Sequence, residues 1–260
     1  MNKTYLLGDI HGKTNSIKCL LDANQEIINS TLILLGDVGA NFFFNYRDEN
    51  FKKALNDLNL TIFIIRGNHE ERPSNCVKKE PNQWHTEKFF ENLVYVENKY
   101  SNIKYALDVP AKYIIPIEDK KINTLILPGA YSIDKQHRIF NNLTWFKDEQ
   151  LTKEEMLQGT SLAASQNWDL ILSHTCPIYY EPVDLFLPFI DQNKVDKTME
   201  YWLDDIEKSV SYKLWAFGHF HETRIYPTHD NKNAVMLFNH YAFDLYKYFY
   251  ENKNIEDCLV

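Results

Sequence analysis

Apolar positions along this chain gather into short runs that stop abruptly at glycine, aspartate or histidine. Tyr5-Leu6-Leu7, Leu32-Ile33-Leu34-Leu35, Ile62-Phe63-Ile64-Ile65, Leu170-Ile171-Leu172 and Trp215-Ala216-Phe217 are too short for helices and lack polar alternation. Such runs suit strands covered on both faces, as in a parallel sheet. Between the first runs the period changes: Ile17, Leu20, Leu21, Asn24, Ile27 and Ile28 fall near one helical face, and Phe51, Ala54, Leu55 and Leu58 mark a second helix. The opening third therefore reads β-α-β-α-β.

Beyond it the stretch 72–96 has no clean period and reads as loop and short helix. Residues 103–107, 111–117 and 122–127 are short runs broken by turn residues, the pattern of an antiparallel second sheet. Thr152 followed by Glu155 has capping-box spacing and starts a helix over 151–166, and another helix is expected over 197–210. Pro177, Pro182 and Pro188 among many aromatics predict an irregular lid over about 177–195. Strands near 213–217, 223–226, 234–238 and 246–250 complete the prediction. No repeat or linker divides residues 1–260, so one α/β domain is expected.

Each run delivers metal-binding residue types at its carboxyl end, where the loops of open α/β sheets converge on ligands. Gly8-Asp9-Ile10-His11, Gly36-Asp37, Gly67-Asn68-His69-Glu70, Ser173-His174 and Gly218-His219-Phe220-His221 bring carboxylate, amide and imidazole without thiolate. That donor set suits borderline or hard divalent ions and argues against iron-sulfur or copper-thiolate chemistry. Asp9, His11, Asp37, Asn68, His174, His219 and His221 are too many for one tetrahedral ion; they suit a pair about 3.5 Å apart sharing one carboxylate. Asp37 is the bridging candidate, since a carboxylate offers two oxygens and a full charge.

The net charge of −8 disfavours general affinity for nucleic-acid backbones, and 44% hydrophobic with 25% charged residues is ordinary for a globular protein. Four cysteines without Cys-x-x-Cys spacing fit free thiols in a reducing cytoplasm. No apolar run approaches the ~20 residues that span a bilayer, so no membrane partner is expected.

The ordered blocks from Gly8 to His221 resemble the calcineurin-like metallophosphoesterase superfamily, and Gly129-Ala130-Tyr131-Ser132-Ile133-Asp134-Lys135 with Arg138 is similar to a bacterial and phage subgroup of stand-alone enzymes. The resemblance implies a four-layer α-β-β-α sandwich of two mixed sheets flanked by helices. It also implies a binuclear centre of two divalent ions, Mn²⁺ foremost with Fe²⁺, Zn²⁺ or Ni²⁺ as alternatives. Asp9, His11, Asp37 and His221 would hold one ion, and Asp37, Asn68, His174 and His219 the other. Hydrolysis of a phosphate ester would proceed by attack of a metal-bridging hydroxide, with His69 as general acid, oriented by Asp9. An imidazole, with its ordinary pKa of ~6.5, can supply a proton at neutral pH. Arg66 and Arg138 are the candidates for gripping phosphate; the Asp-Arg-Gly of the superfamily's protein phosphatases is replaced here by Asp37-Val38-Gly39. A phosphorylated small molecule or protein is the expected substrate of a phosphomonoesterase. The alternatives are a phosphodiesterase or nuclease acting on cyclic nucleotides, dinucleotides or DNA, with lid aromatics from Tyr179 to Phe189 as stacking surface for a base, and a catalytically inactive binding protein.

Overall fold

The computed structural model describes residues 3–260. Its opening alternates as the pattern predicts: β1 (Thr4–Leu7), α1 (Asn15–Ala23), β2 (Thr31–Leu34), α2 (Tyr46–Asn56) and β3 (Thr61–Ile64). The three strands pair in parallel, with Leu6 opposite Ile33 and Ile33 opposite Phe63. The strand period of two explains why the runs are apolar throughout. Leu6, Ile33 and Phe63 face inward, whereas Tyr5, Leu7, Leu32, Leu34, Ile62 and Ile64 pack on the other face, under Ile17 and Leu20 of α1 and Phe51 and Leu55 of α2.

After α3 (Pro73–Lys79), the region expected to be loop forms a hairpin, β4 (Trp84–Phe89) and β5 (Asn92–Glu97). Its two turn residues, Phe90 and Glu91, have φ of 50° and 62°. Two-residue turns of this hand normally announce themselves as Asn-Gly or Asp-Gly, so Phe-Glu carries no turn signal. Tertiary packing holds it instead: the Phe89 and Phe90 rings lie 5.8 and 5.4 Å from that of Phe63. The following β6 (Ile103–Tyr105) was expected in the second sheet. It pairs parallel to β3 and antiparallel to β5, in the first sheet, because a three-residue apolar run says nothing about its partner.

The second sheet begins with the hairpin β7 (Ala111–Ile117) and β8 (Lys120–Leu127), followed by α4 (Lys135–Phe140) and α5 (Lys153–Ala163). Thr152 and Glu155 form the expected capping box at the start of α5. Then come β9 (Trp168–Ser173), α6 (Thr198–Ser209), β10 (Tyr212–Phe217), β11 (Arg224–His229) and β12 (Lys232–Met236). Strands β8, β9, β10 and β12 run parallel to one another, with β7 and β11 antiparallel at the edges. The chain returns to the first sheet through β13 (Phe243–Asp244), and residues expected as a strand over 246–250 form α7 (Leu245–Phe249). Asp244 Oδ1 accepts from the backbone N–H groups of Tyr246 and Lys247, an N-cap that overrides the β-prone aromatic alternation.

The first sheet is ordered β13-β1-β2-β3-β6-β5-β4 and the second β11-β12-β10-β9-β8-β7. Leu6, Ile33 and Phe63 from one meet Tyr113, Leu170, Leu172, Leu214 and Ala216 from the other in a shared core. Ile171, Trp215 and Phe217 on the outer face pack with Leu203 and Ile206 of α6. Two mixed sheets thus lie face to face with helices outside, and β1, β2, β3, β9 and β10 all aim their carboxyl ends at the same rim. Among the described residues no helix is long and apolar enough to cross a membrane.

Candidate metal centre

The loops leaving those five strands bring all seven predicted donors together. His11 Nε2 lies 2.8 Å from His221 Nε2, and His221 Nε2 lies 3.4 Å from Asp9 Oδ2. His174 Nε2 is 3.0 Å from Asn68 Oδ1 and 3.2 Å from Asp37 Oδ1. Three sets have donor atoms within 4.8 Å of one another: Asp9, His11 and His221; Asp37, His174 and His219; and His11, Asp37 and His69. The first two sets have no residue in common, and the third, through His11 and Asp37, lies between them. The third includes His69, so distance alone does not separate this imidazole from a ligand.

The backbone that carries these groups is unusual. His11 (φ 44°), Asp37 (48°), His219 (72°) and His221 (57°) all adopt the left-handed region that side chains disfavour. Such strain persists where the surroundings hold it, and it concentrates at functional sites. The His11 N–H donates to the Asp37 carbonyl at 2.9 Å, and the His219 N–H donates to Asp9 Oδ1 at 3.1 Å, so the loops brace one another. Gly36 and Gly67 are glycines for want of space: a Cβ on Gly36 would run into the His174 imidazole, and one on Gly67 into the Asp37 carboxylate.

The donor set fits divalent ions. Asp9 Oδ2 is buried with no hydrogen-bond partner, an acceptor aimed at the His11 and His221 nitrogens. Burial, with neighbouring imidazoles adding to it, pushes His11 down to about 4 and His219 to about 3, so both present neutral lone pairs. His174 Nδ1 lies 2.6 Å from the Leu35 carbonyl. A carbonyl only accepts, so Nδ1 carries a proton and Nε2 is the atom turned toward Asp37 and Asn68. Burial alone would raise the Asp37 carboxyl; His174 beside it holds it well below the usual range. Burial, with the Asp37 charge adding to it, pushes Asp9 up to about 8.

Three supporting residues escaped the sequence reading. Glu70 accepts from the backbone N–H groups of Val38, Gly39 and Gly67, tying the loop after β2 to the loop after β3. Ser132 accepts from Asn68 Nδ2 at 3.0 Å and donates to Glu149 Oε2 at 2.5 Å, which fixes the Asn68 amide with its oxygen toward His174. Glu70 and Ser132 lay inside motif blocks but gave no local signal of these contacts, and Glu149 lay outside every motif.

The other predicted positions need correction. Arg66 does not line the cleft: its guanidinium is buried, donates from Nη1 to the Gly67 and Glu149 carbonyls, and is lowered to about 10 by burial and by Arg72. Arg138 does line it, with Nε paired to both Asp134 oxygens at 2.7 and 2.8 Å. His69 Nε2 is 3.9 Å from Asp37 Oδ2, so Asp37 rather than Asp9 is its carboxylate neighbour. The lid contains three short 3₁₀ turns, Ile178–Tyr180, Val183–Leu185 and Gln192–Lys194, and of its residues Leu187 reaches the cleft. The aromatics on the cleft are Phe42, Phe43 and Phe238 instead of lid residues.

The cleft has a volume of about 650 Å³ and includes His11, Asp37, Asn68, His69, His219 and His221 in its wall. Comparison with solved structures finds the same fold at low identity. A dimetal phosphatase from Danio rerio matches with a TM-score of 0.54 at 9% identity, covering 95% of this chain and 93% of that one. The protein TT1561 of Thermus thermophilus matches with a TM-score of 0.53 at 10% identity, covering 94% of each chain. No protein of curated function matches in sequence. A family model described as calcineurin-like phosphoesterase matches residues 3–223, which carry strands β1 to β10 and all seven donors. The chain belongs to the calcineurin-like phosphoesterases, metal-dependent hydrolases of phosphate esters.

Proposed function

We propose that this protein is a phosphomonoesterase. Asp9, His11, Asp37 and His221 would hold one divalent ion, and Asp37, Asn68, His174 and His219 the other. When bound, the ions supply Lewis acidity, activating water as the nucleophile and neutralising charge on the phosphoryl oxygens. The borderline donor set favours Mn²⁺, with Fe²⁺, Zn²⁺ or Ni²⁺ as alternatives. A monoester dianion carries one more charge than a diester, and the cleft adds the cation of Lys13 to its wall, Arg138 there being paired with Asp134.

The observation that carries the reading is the placement of His69. Its backbone N–H donates to Asp37 Oδ1 at 2.8 Å, its ring packs 5.4 Å from Phe42, and its side chain opens to the cleft. In hydrolysis the water oxygen bonds to phosphorus while the ester P–O bond breaks, its electron pair leaving with the alcohol oxygen. His69 gives that oxygen its proton and is reprotonated from solvent. Asp37 keeps the imidazole oriented.

The test is His69→Ala. It should leave two metal equivalents per chain while lowering the rate ~10²–10⁴-fold. Alkyl phosphates should lose more than a nitrophenyl phosphate, whose leaving group needs little protonation. Loss of a metal ion would make His69 a ligand; equal losses on both esters with metals retained would make it a phosphate-binding group.

A further inference from the structure

The general acid marks the side of the cleft from which the leaving alcohol departs, and the surface beside it is aromatic. Phe42 packs on His69, Phe43 meets Phe42 edge-on at 4.7 Å, and Phe43 and Ile133 are exposed on the cleft. Arg47 lies over the Phe43 ring at 5.0 Å, and both Phe43 and Ile133 still present apolar surface at the mouth of a charged centre. The chain also holds them still. Asp48 Oδ2 accepts from the backbone N–H groups of Phe42, Phe43 and Phe44 at 2.9, 2.9 and 2.8 Å, so the loop is fixed before any ligand arrives. Prior fixing of a contact surface removes an ordering cost from binding.

Across the metal positions the ring of His221 lies 5.2 Å from that of Phe238. Next to it Asn239 is 8% exposed, lines the cleft, and has an Oδ1 that is buried without a hydrogen-bond partner. An unmade bond on a buried amide is costly unless a ligand completes it. Lys13, also on the cleft, has no ion pair among the described residues.

Resting on the phosphoesterase reading above, we propose that the substrate is a nucleotide, its base held against the Phe42–Phe43 wall. Stacking on an aromatic face accepts any base. The remaining groups separate a nucleoside from a phenol, the other planar leaving group. A phenyl ring offers nothing to Asn239 Oδ1, whereas a nucleoside brings sugar hydroxyls and ring-edge N–H donors. A cleft of about 650 Å³ also matches the size range of small-molecule pockets and far exceeds one phenyl phosphate.

The experiment compares adenosine 5′-monophosphate, ribose 5-phosphate and phenyl phosphate on the Mn²⁺-supplied protein and its Phe43→Leu and Asn239→Ala variants. The first two share the reacting bond and differ by the base, so kcat/KM should favour the nucleotide roughly 5- to 100-fold, the span of one base–aromatic stack. Phe43→Leu should remove most of that ratio through a raised KM for the nucleotide, and Phe43→Tyr should restore it. Asn239→Ala should weaken the nucleotide and not phenyl phosphate. Equal constants for nucleotide and ribose 5-phosphate, or phenyl phosphate as the best of the three, would overturn the proposal and leave the phosphoesterase reading standing. Binding of adenosine, followed by saturation-transfer NMR, needs no turnover. Adenosine that binds the protein but not Phe43→Leu sustains the wall even if no ester is cleaved, and adenosine that fails to bind overturns it whatever is hydrolysed.

Discussion

The two sheets contribute unlike halves to one centre. Loops of the first carry both buried carboxylates, Asp9 and Asp37, with Asn68 and His11; loops of the second carry imidazoles alone, His174, His219 and His221. The carboxylates therefore meet partners across the sheet–sheet junction, Asp9 through one oxygen: His174 reaches Asp37 at 3.2 Å, and the His219 N–H reaches Asp9 Oδ1 at 3.1 Å. Where the second sheet does place a carboxylate behind this junction, it lies apart from the donors. Glu200 on α6 is buried, with Oε1 accepting from Thr175 at 2.7 Å and Oε2 unpartnered. Burial, eased only in part by Thr175, pushes it up to about 7. Asp37, beside the His174 imidazole, is held charged, whereas Glu200, which meets a single hydroxyl, is pushed toward its neutral form.

The largest test of that contrast is Asp37→Asn. In the proposed assignment Asp37 serves both ion positions, so removing its charge should strip both, and elemental analysis of Mn²⁺-loaded protein should fall from two equivalents toward none, with hydrolysis lost. Retention of one ion at wild-type affinity would show that the halves do not share this residue. A smaller effect is expected from Ser132→Ala, which frees the Asn68 amide to rotate. Supporting contacts of this kind typically change metal affinity ~10–100-fold. The loss should fall on the position built by Asn68, His174 and His219 and spare the other, giving biphasic metal titration where the wild type shows a single phase.

The smallest effect concerns Glu200. With a folded pKa of about 7 against an ordinary 4.5, the fold keeps its proton where the unfolded chain has released it. That contribution is complete below pH 4.5, shrinks as pH rises to 7 and is gone above it. Glu200→Gln should therefore stabilise the protein at pH 8 by ~1–3 kcal/mol and change little at pH 4, read by denaturant unfolding. Equal shifts at both pH values would mean that Glu200 is ionised in the fold.

Much of this arrangement was readable from residues alone, because Asp9, His11, Asp37, Asn68 and His219 each sit next to a glycine, and all seven donors follow apolar runs. Gly36 and Gly67 show why: their neighbours are the ligands of other loops, so local spacing records a tertiary fact. Contacts without such a local trace stayed hidden. Ser132, Glu149 and Asn68 meet only after β3, α4 and α5 have packed, and the Phe90-Glu91 turn follows no turn chemistry. Arg66 failed differently: adjacency to Gly67 suggests a residue facing the ligand, but its side chain runs back to the Glu149 carbonyl. Strand-end position fixes where the backbone is, and not which way a long side chain turns.

The split of donors between sheets also has a consequence for synthesis of the chain. Asp9, His11, Asp37 and Asn68 leave the ribosome within the first third of translation, as part of locally wound β-α units, whereas His174, His219 and His221 follow more than a hundred residues later. Local units form early, and long-range pairings wait on chain closure. The nascent first sheet must therefore keep Asp9 and Asp37 hydrated, with an open inner face, until β9 and β10 arrive. Completion of the centre is then among the last events of folding, and tight metal capture reports that both sheets have docked.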